Sequence, residues 1–268
     1  MLNKILFLNI FIFSLIHILN LFIDINFEEI RNLLGISSEI NEVIKTPWVI
    51  ISYMFLHLNI FHLISNMIFL YFFGKLFLKY LSNTKLFSNY ILGGLTGGVF
   101  FMLFSNFTSL QIESEPLIGS SASILSILVT CFVFTPNYSF KTFKNSEKTI
   151  KLKYLAIIFI IYSIVNPLYT HNIGGLISHL GGIAYGILYM ILIKKEINVG
   201  FFIEKILEIS FSKEKKIKRR KNEDDYEYNT RKKINELELN KILDKISKSG
   251  FKSLSKKEKK ILEKFSQN

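Results

Sequence analysis

Residues 119–134 read GSSASILSILVTCFVF, from Gly119 through Ser121 to Phe134. A helix needs roughly 20 apolar residues to cross a bilayer core about 30 Å thick. The apolar run after Ser123 is shorter than that, so a helix over 120–134 would begin part-way across the membrane. The first N–H groups of a helix have no partner within it and favour negative charge. The stretch therefore predicts a short membrane helix whose polar start can hold an anion.

Five longer apolar runs flank this segment. The six predicted helices are Ile5–Ile23, Leu58–Phe73, Tyr90–Phe107, Ser120–Phe134, Tyr154–Leu168 and Leu176–Ile193. They predict an all-α, polytopic membrane protein with a six-transmembrane-helix bundle over residues 1–195. The first run could also be a cleaved signal peptide, but only Lys4 is basic before it and no small-x-small cleavage site precedes Asp24. A retained helix is the favoured interpretation.

The net charge of +12 raises the question of nucleic acid, but its distribution favours a topology signal. The basic loops carry Lys75, Lys79 and Lys85 after the second helix, and Lys141, Lys144, Lys148, Lys151 and Lys153 after the fourth. The connections between them are poor in Lys and Arg. Six crossings with both termini in the cytoplasm give this alternation. We therefore expect a lipid bilayer, and no nucleic acid, as the partner of the bundle.

Residues 196–268 differ in composition from the rest, since Lys, Glu, Asn and Ser dominate there. This part is predicted to be a basic cytoplasmic tail that begins with an amphipathic stretch, Phe201–Phe211, along the membrane face. Ser255 and Glu258 have the spacing of a capping box. The tail is predicted to form a small helical hairpin over 235–265 and to bind a cytoplasmic partner, or else to be a solvated basic helix near an anionic membrane surface.

Polar side chains inside predicted spans are costly and need a reason. His62 and Asn66 are four residues apart and share one helix face, and His57 precedes them. Interpreted alone, these residues could be a polar seam between packed helices. A zinc site is disfavoured, because the candidate histidines have no cysteine or buried acid beside them and Cys131 is the only cysteine.

Two further motifs allow more than one interpretation. Ser121 could be an ordinary helix cap, or a nucleophile whose own N–H stabilises an oxyanion. His179 is followed by Gly182 and Gly186, which permit close approach of another helix. That approach could bring a partner side chain to the histidine, or it could be packing alone.

Taken together, the motifs resemble those of the rhomboid family of intramembrane serine proteases. The shared features are a His-x-x-x-Asn in the second helix (His62, Asn66), a Gly-x-Ser opening the fourth (Gly119, Ser121) and a His-x-x-Gly-x-x-x-Gly in the sixth (His179, Gly182, Gly186). Trp48 also resembles a tryptophan of the family's first loop. The resemblance spans about residues 1–195, and the tail is similar to one found on some bacterial rhomboids.

The resemblance implies that Ser121 is the nucleophile and His179 its general base. It further implies an oxyanion site made of His62, Asn66 and the Ser121 N–H, with His57 in a structural part. No Asp or Glu lies in the second, fourth or sixth helix, so a Ser-His dyad is the only form available. Neither a cofactor nor a metal is expected.

The expected reaction is cleavage of single-spanning membrane proteins near the extracytoplasmic side of a bacterial inner membrane. Three positions depart from the family pattern: Ala122 replaces a frequent glycine, Val49 a usual arginine, and Leu125 a frequent aromatic. The sequence leaves two other functions as alternatives. A catalytically silent, substrate-binding relative would have lost the serine or the histidine, and both are present. A transporter or channel would need polar residues across the whole membrane, and here they gather near one side.

Overall fold

A computed structural model describes residues 1–107, 115–141 and 149–212, and in the tail residues 238, 241–242, 245, 253–255 and 257–259. The chain divides into two compact units, 1–206 and 207–268. Within the described residues the fold is nearly all α-helical, so the predicted fold class is confirmed. The hairpin predicted over 235–265 lies largely outside the described residues.

The structure describes ten α-helices of four residues or more between residues 1 and 212. Their bounds are α1 (Leu2–Leu19), α2 (Phe27–Leu34), α3 (Ile40–Lys45), α4 (Val49–Ser52), α5 (Ile60–Phe77), α6 (Asn83–Phe107), α7 (Ser121–Phe134), α8 (Leu152–Tyr169), α9 (Ile173–Lys194) and α10 (Phe201–Ser212). A 3₁₀ turn, Tyr53–Phe55, follows α4. Strands β1 (Ser139–Lys141) and β2 (Thr149–Lys151) pair antiparallel between α7 and α8.

Among the described helices, α1, α5, α6, α8 and α9 are long and apolar enough to cross a membrane. The chain is therefore an integral membrane protein. Helix α7 is also apolar but has only 14 residues, and the sequence predicts that it is short. At 1.5 Å per residue it is roughly 21 Å long.

Helix α7 lies at the centre of the bundle. It packs against α5, α6 and α9, and every residue from Ala122 to Cys131 is buried. Burial on all sides requires a helix without charges, and the sequence of α7 contains none. The elements around α7 thus determine what its first residue can contact.

Glycines bring α6, α7 and α9 close together. A Cβ atom on Gly97 of α6 would lie 2.6 Å from Cβ of Ala122, and one on Gly186 of α9 would lie 2.8 Å from the carbonyl oxygen of Ser126. Neither position leaves room for a side chain. The glycine spacing in α9 therefore serves the close approach that the sequence predicts, and it sets the distance between α9 and α7.

The start of α7 is held by the first connection of the chain. Ile36 and Leu117 form an isolated antiparallel bridge, and the Gly119 N–H donates to the Tyr53 carbonyl at 2.8 Å. These bonds fix the extended segment that leads into α7.

The start of α6 and the strands between α7 and α8 differ from the sequence prediction, and α1 ends at Leu19 instead of Ile23. Helix α6 begins at Asn83 instead of Tyr90, because Ser82 Oγ accepts from the Lys85 N–H at 3.2 Å and caps a polar first turn. Hydropathy detects only the lipid-facing length of a helix and misses such an extension. The β1–β2 pair was also not predicted, since strands of three residues leave no periodic signal.

Candidate active site

Ser121 is the first residue of α7, so its N–H has no partner within the helix. Gly119, two residues earlier, has a φ of +111°, which favours glycine over any L side chain. A Cβ atom at this position would also lie 2.6 Å from Cε1 of His62. Gly119 is therefore required both by the backbone and by the space beside His62.

His179, two turns into α9, meets Ser121 directly. The distance between His179 Nε2 and Ser121 Oγ is 2.8 Å. The other ring nitrogen, Nδ1, lies 2.8 Å from the carbonyl oxygen of Ser163 on α8. A carbonyl oxygen only accepts, so Nδ1 carries the proton and Nε2 presents its lone pair to the serine. The pair has the arrangement of a nucleophile and its general base.

The Ser163 carbonyl is a functional group that the sequence analysis did not identify. Helices α5, α7, α8 and α9 contain no Asp or Glu that could orient His179, and a main-chain oxygen orients its ring instead. The signal that could have pointed to it is Pro167, which lies inside α8 four residues later.

Asn66 is buried on α5 and is held by His57. Nδ2 of Asn66 lies 3.0 Å from Nε2 of His57. Burial, with a smaller effect from His62, lowers the pKa of His57 to about 3. The ring is therefore neutral and accepts one N–H of Asn66, which leaves the second N–H of that amide for another acceptor.

His62 lies between these groups. Its ring packs edge-on against His57, with 5.0 Å between the ring centroids, and it borders Gly119. His62, Asn66, Ser121 and His179 all line one cleft. The structure thus brings together the residues proposed as nucleophile, base and oxyanion donors.

The cleft has a volume of about 2010 Å³ and opens between α5 and α8. Apolar side chains line its walls, among them Phe69 and Phe72 of α5 and Ile158, Phe159 and Tyr162 of α8. The polar groups lie at one end. An apolar opening between two membrane helices suits a ligand that arrives from the lipid.

Other predicted residues lie elsewhere. Trp48 is half-exposed, and its indole N–H donates to the Leu33 carbonyl at 2.9 Å, so it joins α4 to α2 and does not contact Ser121 or His179. Val49 and Leu125 are both buried in the apolar core. Among the described residues, His, Cys, Asp and Glu side chains form no group of three that could hold a metal ion.

Comparison with protein families gives two matches. The family model of the rhomboid domain matches residues 45–196, more than half of the 268 residues. The chain belongs to the rhomboid family. The match includes every residue of the site from His57 to His179 and leaves α1 and α2 outside.

In this rhomboid, residues 223–268 match a second family model, which describes a family of unknown function (DUF6576). No curated protein matches the chain. The family assignment supports a fold of the intramembrane-protease type.

Proposed function

We propose that this rhomboid is an intramembrane serine endopeptidase that uses Ser121 and His179 as a catalytic dyad. The observation that carries the proposal is the 2.8 Å contact between Ser121 Oγ and His179 Nε2 at the polar end of a cleft open to lipid. Neither a metal nor a cofactor takes part in the proposed reaction.

In the first half-reaction, Ser121 Oγ bonds to the carbon of the scissile carbonyl as its proton passes to His179 Nε2. The carbonyl electron pair moves onto oxygen and gives a tetrahedral oxyanion. When the carbonyl re-forms, the C–N bond breaks and Nε2 returns the proton to the leaving amine. Water then cleaves the acyl-enzyme by the same route in reverse, and the proton ends on Ser121 Oγ.

Three donors border the position of the oxyanion. They are the Ser121 N–H at the head of α7, the second N–H of Asn66 and the ring of His62. Donors fixed in advance around developing charge are worth most in a site with little water, because they need no rearrangement during the reaction.

The proposed substrates are single-spanning membrane proteins that reach the dyad between α5 and α8. A substrate helix has to give up main-chain hydrogen bonds before Ser121 can reach its carbonyl, so small or helix-breaking residues favour cleavage. The lysine-poor loops lie at the end of the bundle that holds the site. That charge bias supports cleavage near the extracytoplasmic side of a bacterial inner membrane, with both termini in the cytoplasm.

The test is cleavage of a transmembrane substrate in liposomes by the wild type and by Ser121→Ala and His179→Ala. We expect both variants to lose cleavage. Ser105→Ala in α6 and His17→Ala in α1 are matched controls, because each side chain hydrogen-bonds to a carbonyl one turn earlier and neither lines the cleft, and both should cleave like the wild type. Cleavage that survives Ser121→Ala would refute the assignment of the nucleophile.

A folded wild type that binds substrates without cutting them would instead indicate a catalytically silent binding module. Labelling with a fluorophosphonate separates the two, because an activated serine reacts with it whether or not the substrate is suitable. The proposed cytoplasmic partner of the tail stays a prediction.

A further inference from the structure

Helix α8 contains a proline at a position where its missing N–H affects another residue of the site. In an α-helix the N–H of residue 167 bonds to the carbonyl of residue 163. Residue 167 is proline and has no N–H to give. The carbonyl of Ser163 is therefore without its usual helical donor.

That same carbonyl accepts from His179 Nδ1 at 2.8 Å. A proline ring also displaces the carbonyl four residues before it from the helix axis, which turns the oxygen sideways. The Ser163 hydroxyl is not involved in this contact, because it donates to the Phe159 carbonyl at 2.7 Å. The group that holds the histidine is thus a main-chain oxygen freed by the proline.

The packing of α8 fits this role. Half of the residues of α8 are exposed, but Ser163 and Pro167 both belong to its buried face. The turn that follows is tied down as well. The Asn172 N–H donates to the Pro167 carbonyl at 2.8 Å, and Asn172 Oδ1 accepts from the Gly175 N–H at 2.8 Å, which caps α9. His179 therefore lies at a fixed height relative to Pro167.

We propose that Pro167 is a positioning residue of this rhomboid: by withholding an N–H from the Ser163 carbonyl, it supplies the acceptor that fixes the tautomer and orientation of His179. The inference rests on the proposed function of the dyad. It assigns to a main-chain carbonyl without a helical donor the task that a carboxylate performs in a Ser-His-Asp triad.

The decisive comparison uses two replacements of nearly equal shape. Pro167→Ala restores an N–H that competes for the Ser163 carbonyl. Lactic acid at position 167 has the shape of alanine but an ester oxygen in place of the N–H, so the carbonyl stays free. Any effect of losing the ring or its rigidity appears in both chains, and only the alanine chain gains the competing donor.

We expect fluorophosphonate labelling of Ser121, and kcat for a cleaved substrate, to fall roughly five- to tenfold in Pro167→Ala, which corresponds to the net worth of one hydrogen bond. KM should not change, and the lactic acid chain should react at the wild-type rate. Equal loss in both chains, or no loss in Pro167→Ala, would overturn the proposal.

A second measurement does not depend on catalysis. In chains labelled with ¹⁵N-histidine, the Nδ1–H proton of His179 should resonate far downfield in the wild type and in the lactic acid chain, and should move upfield in Pro167→Ala. If the proton signal is the same in all three, the carbonyl does not hold the ring. If the proton signal behaves as expected but no fluorophosphonate labels Ser121 in the wild type, the positioning role of Pro167 stands and the proposed protease activity fails.

Discussion

Gly182 of α9 faces the main-chain carbonyl of Ala122 so closely that a Cβ atom on the glycine would lie 2.3 Å from the carbonyl oxygen. Ala122 follows Ser121, and Gly182 follows His179 by three residues on the same side of α9. The contact that spaces the two helices is therefore adjacent to the contact between nucleophile and base.

We expect Gly182→Ala to push α9 away from α7. Overpacking of this kind costs about 1–3 kcal/mol, and a displacement of about 1 Å at reacting groups lowers the rate by about 10²-fold. Cleavage rate and unfolding in denaturant measure the two effects. Gly74→Ala is the matched control, because its Cβ would meet only the end of the Leu2 side chain, which can move. If both variants lose cleavage rate and stability to a similar extent, the spacing between α7 and α9 at Gly182 does not determine the rate.

Asn66→Ala should lower kcat by about 10²–10³-fold with little change in KM, because one oxyanion donor is lost. Asn66→Asp should be at least as impaired, since a carboxylate brings no N–H to the oxyanion. Steady-state cleavage kinetics provide the measurement. Asn41→Ala, which removes an exposed amide on α3, should behave like the wild type. A rise in KM at constant kcat would place Asn66 in substrate binding instead.

The depressed pKa of His57, about 3, makes the stability of the bundle depend on pH. Between its ordinary pKa of about 6.5 and this value, the unfolded chain binds a proton that the folded chain excludes. Stability contributed by His57 is therefore complete above pH 6.5 and is lost as the pH falls, by up to about 1.4 kcal/mol per pH unit. His57→Gln keeps an acceptor for Asn66 and should flatten this slope in denaturant titrations from pH 6.5 to 4. Parallel slopes for the two proteins would contradict the assignment.

Glu204 of α10 is buried, and it accepts from Ser88 Oγ at 3.0 Å and from Asn198 Nδ2 at 2.9 Å. Hydrogen bonds to a charged group contribute about 1.5–3 kcal/mol each. Glu204→Ala should therefore destabilise the start of α10 and speed limited proteolysis around residues 196–206. Glu39→Ala, at an exposed carboxylate, is the control. Unchanged proteolysis would show that α10 is held by its apolar side chains alone.

The sequence predicts most of the bundle because lipid imposes a simple pattern. Six apolar runs become six helices, and one of these runs, the short one after Ser120, becomes α7. Polar side chains are costly inside membrane helices and therefore stand out in the sequence. Three of them, His62, Asn66 and His179, line the same cleft as Ser121. In the tail, the predicted capping box also forms, since the Ser255 N–H donates to Glu258 and the Glu258 N–H donates to Ser255 Oγ.

The features that the sequence does not predict are main-chain groups, short helices and single hydrogen bonds. The Ser163 carbonyl is an atom that every residue has, and its role depends on which helix packs beside it. The helices α2, α3 and α4 have eight, six and four residues, which is less than the length that a periodic signal requires. Trp48 lies in the first connection, as the resemblance implies, but its hydrogen bond to the Leu33 carbonyl is a contact that the sequence alone does not reveal.

The 14 residues of α7 leave it about 9 Å short of a bilayer core. The proposed hydrolysis consumes one water molecule for each bond cut, and the space that the short α7 leaves in one leaflet is a route for that water. We therefore expect the proposed deacylation to slow in lipids with longer or more ordered chains, because water enters such a leaflet less readily. Membrane thickness thereby becomes a control on turnover that acts without touching any residue of the protein.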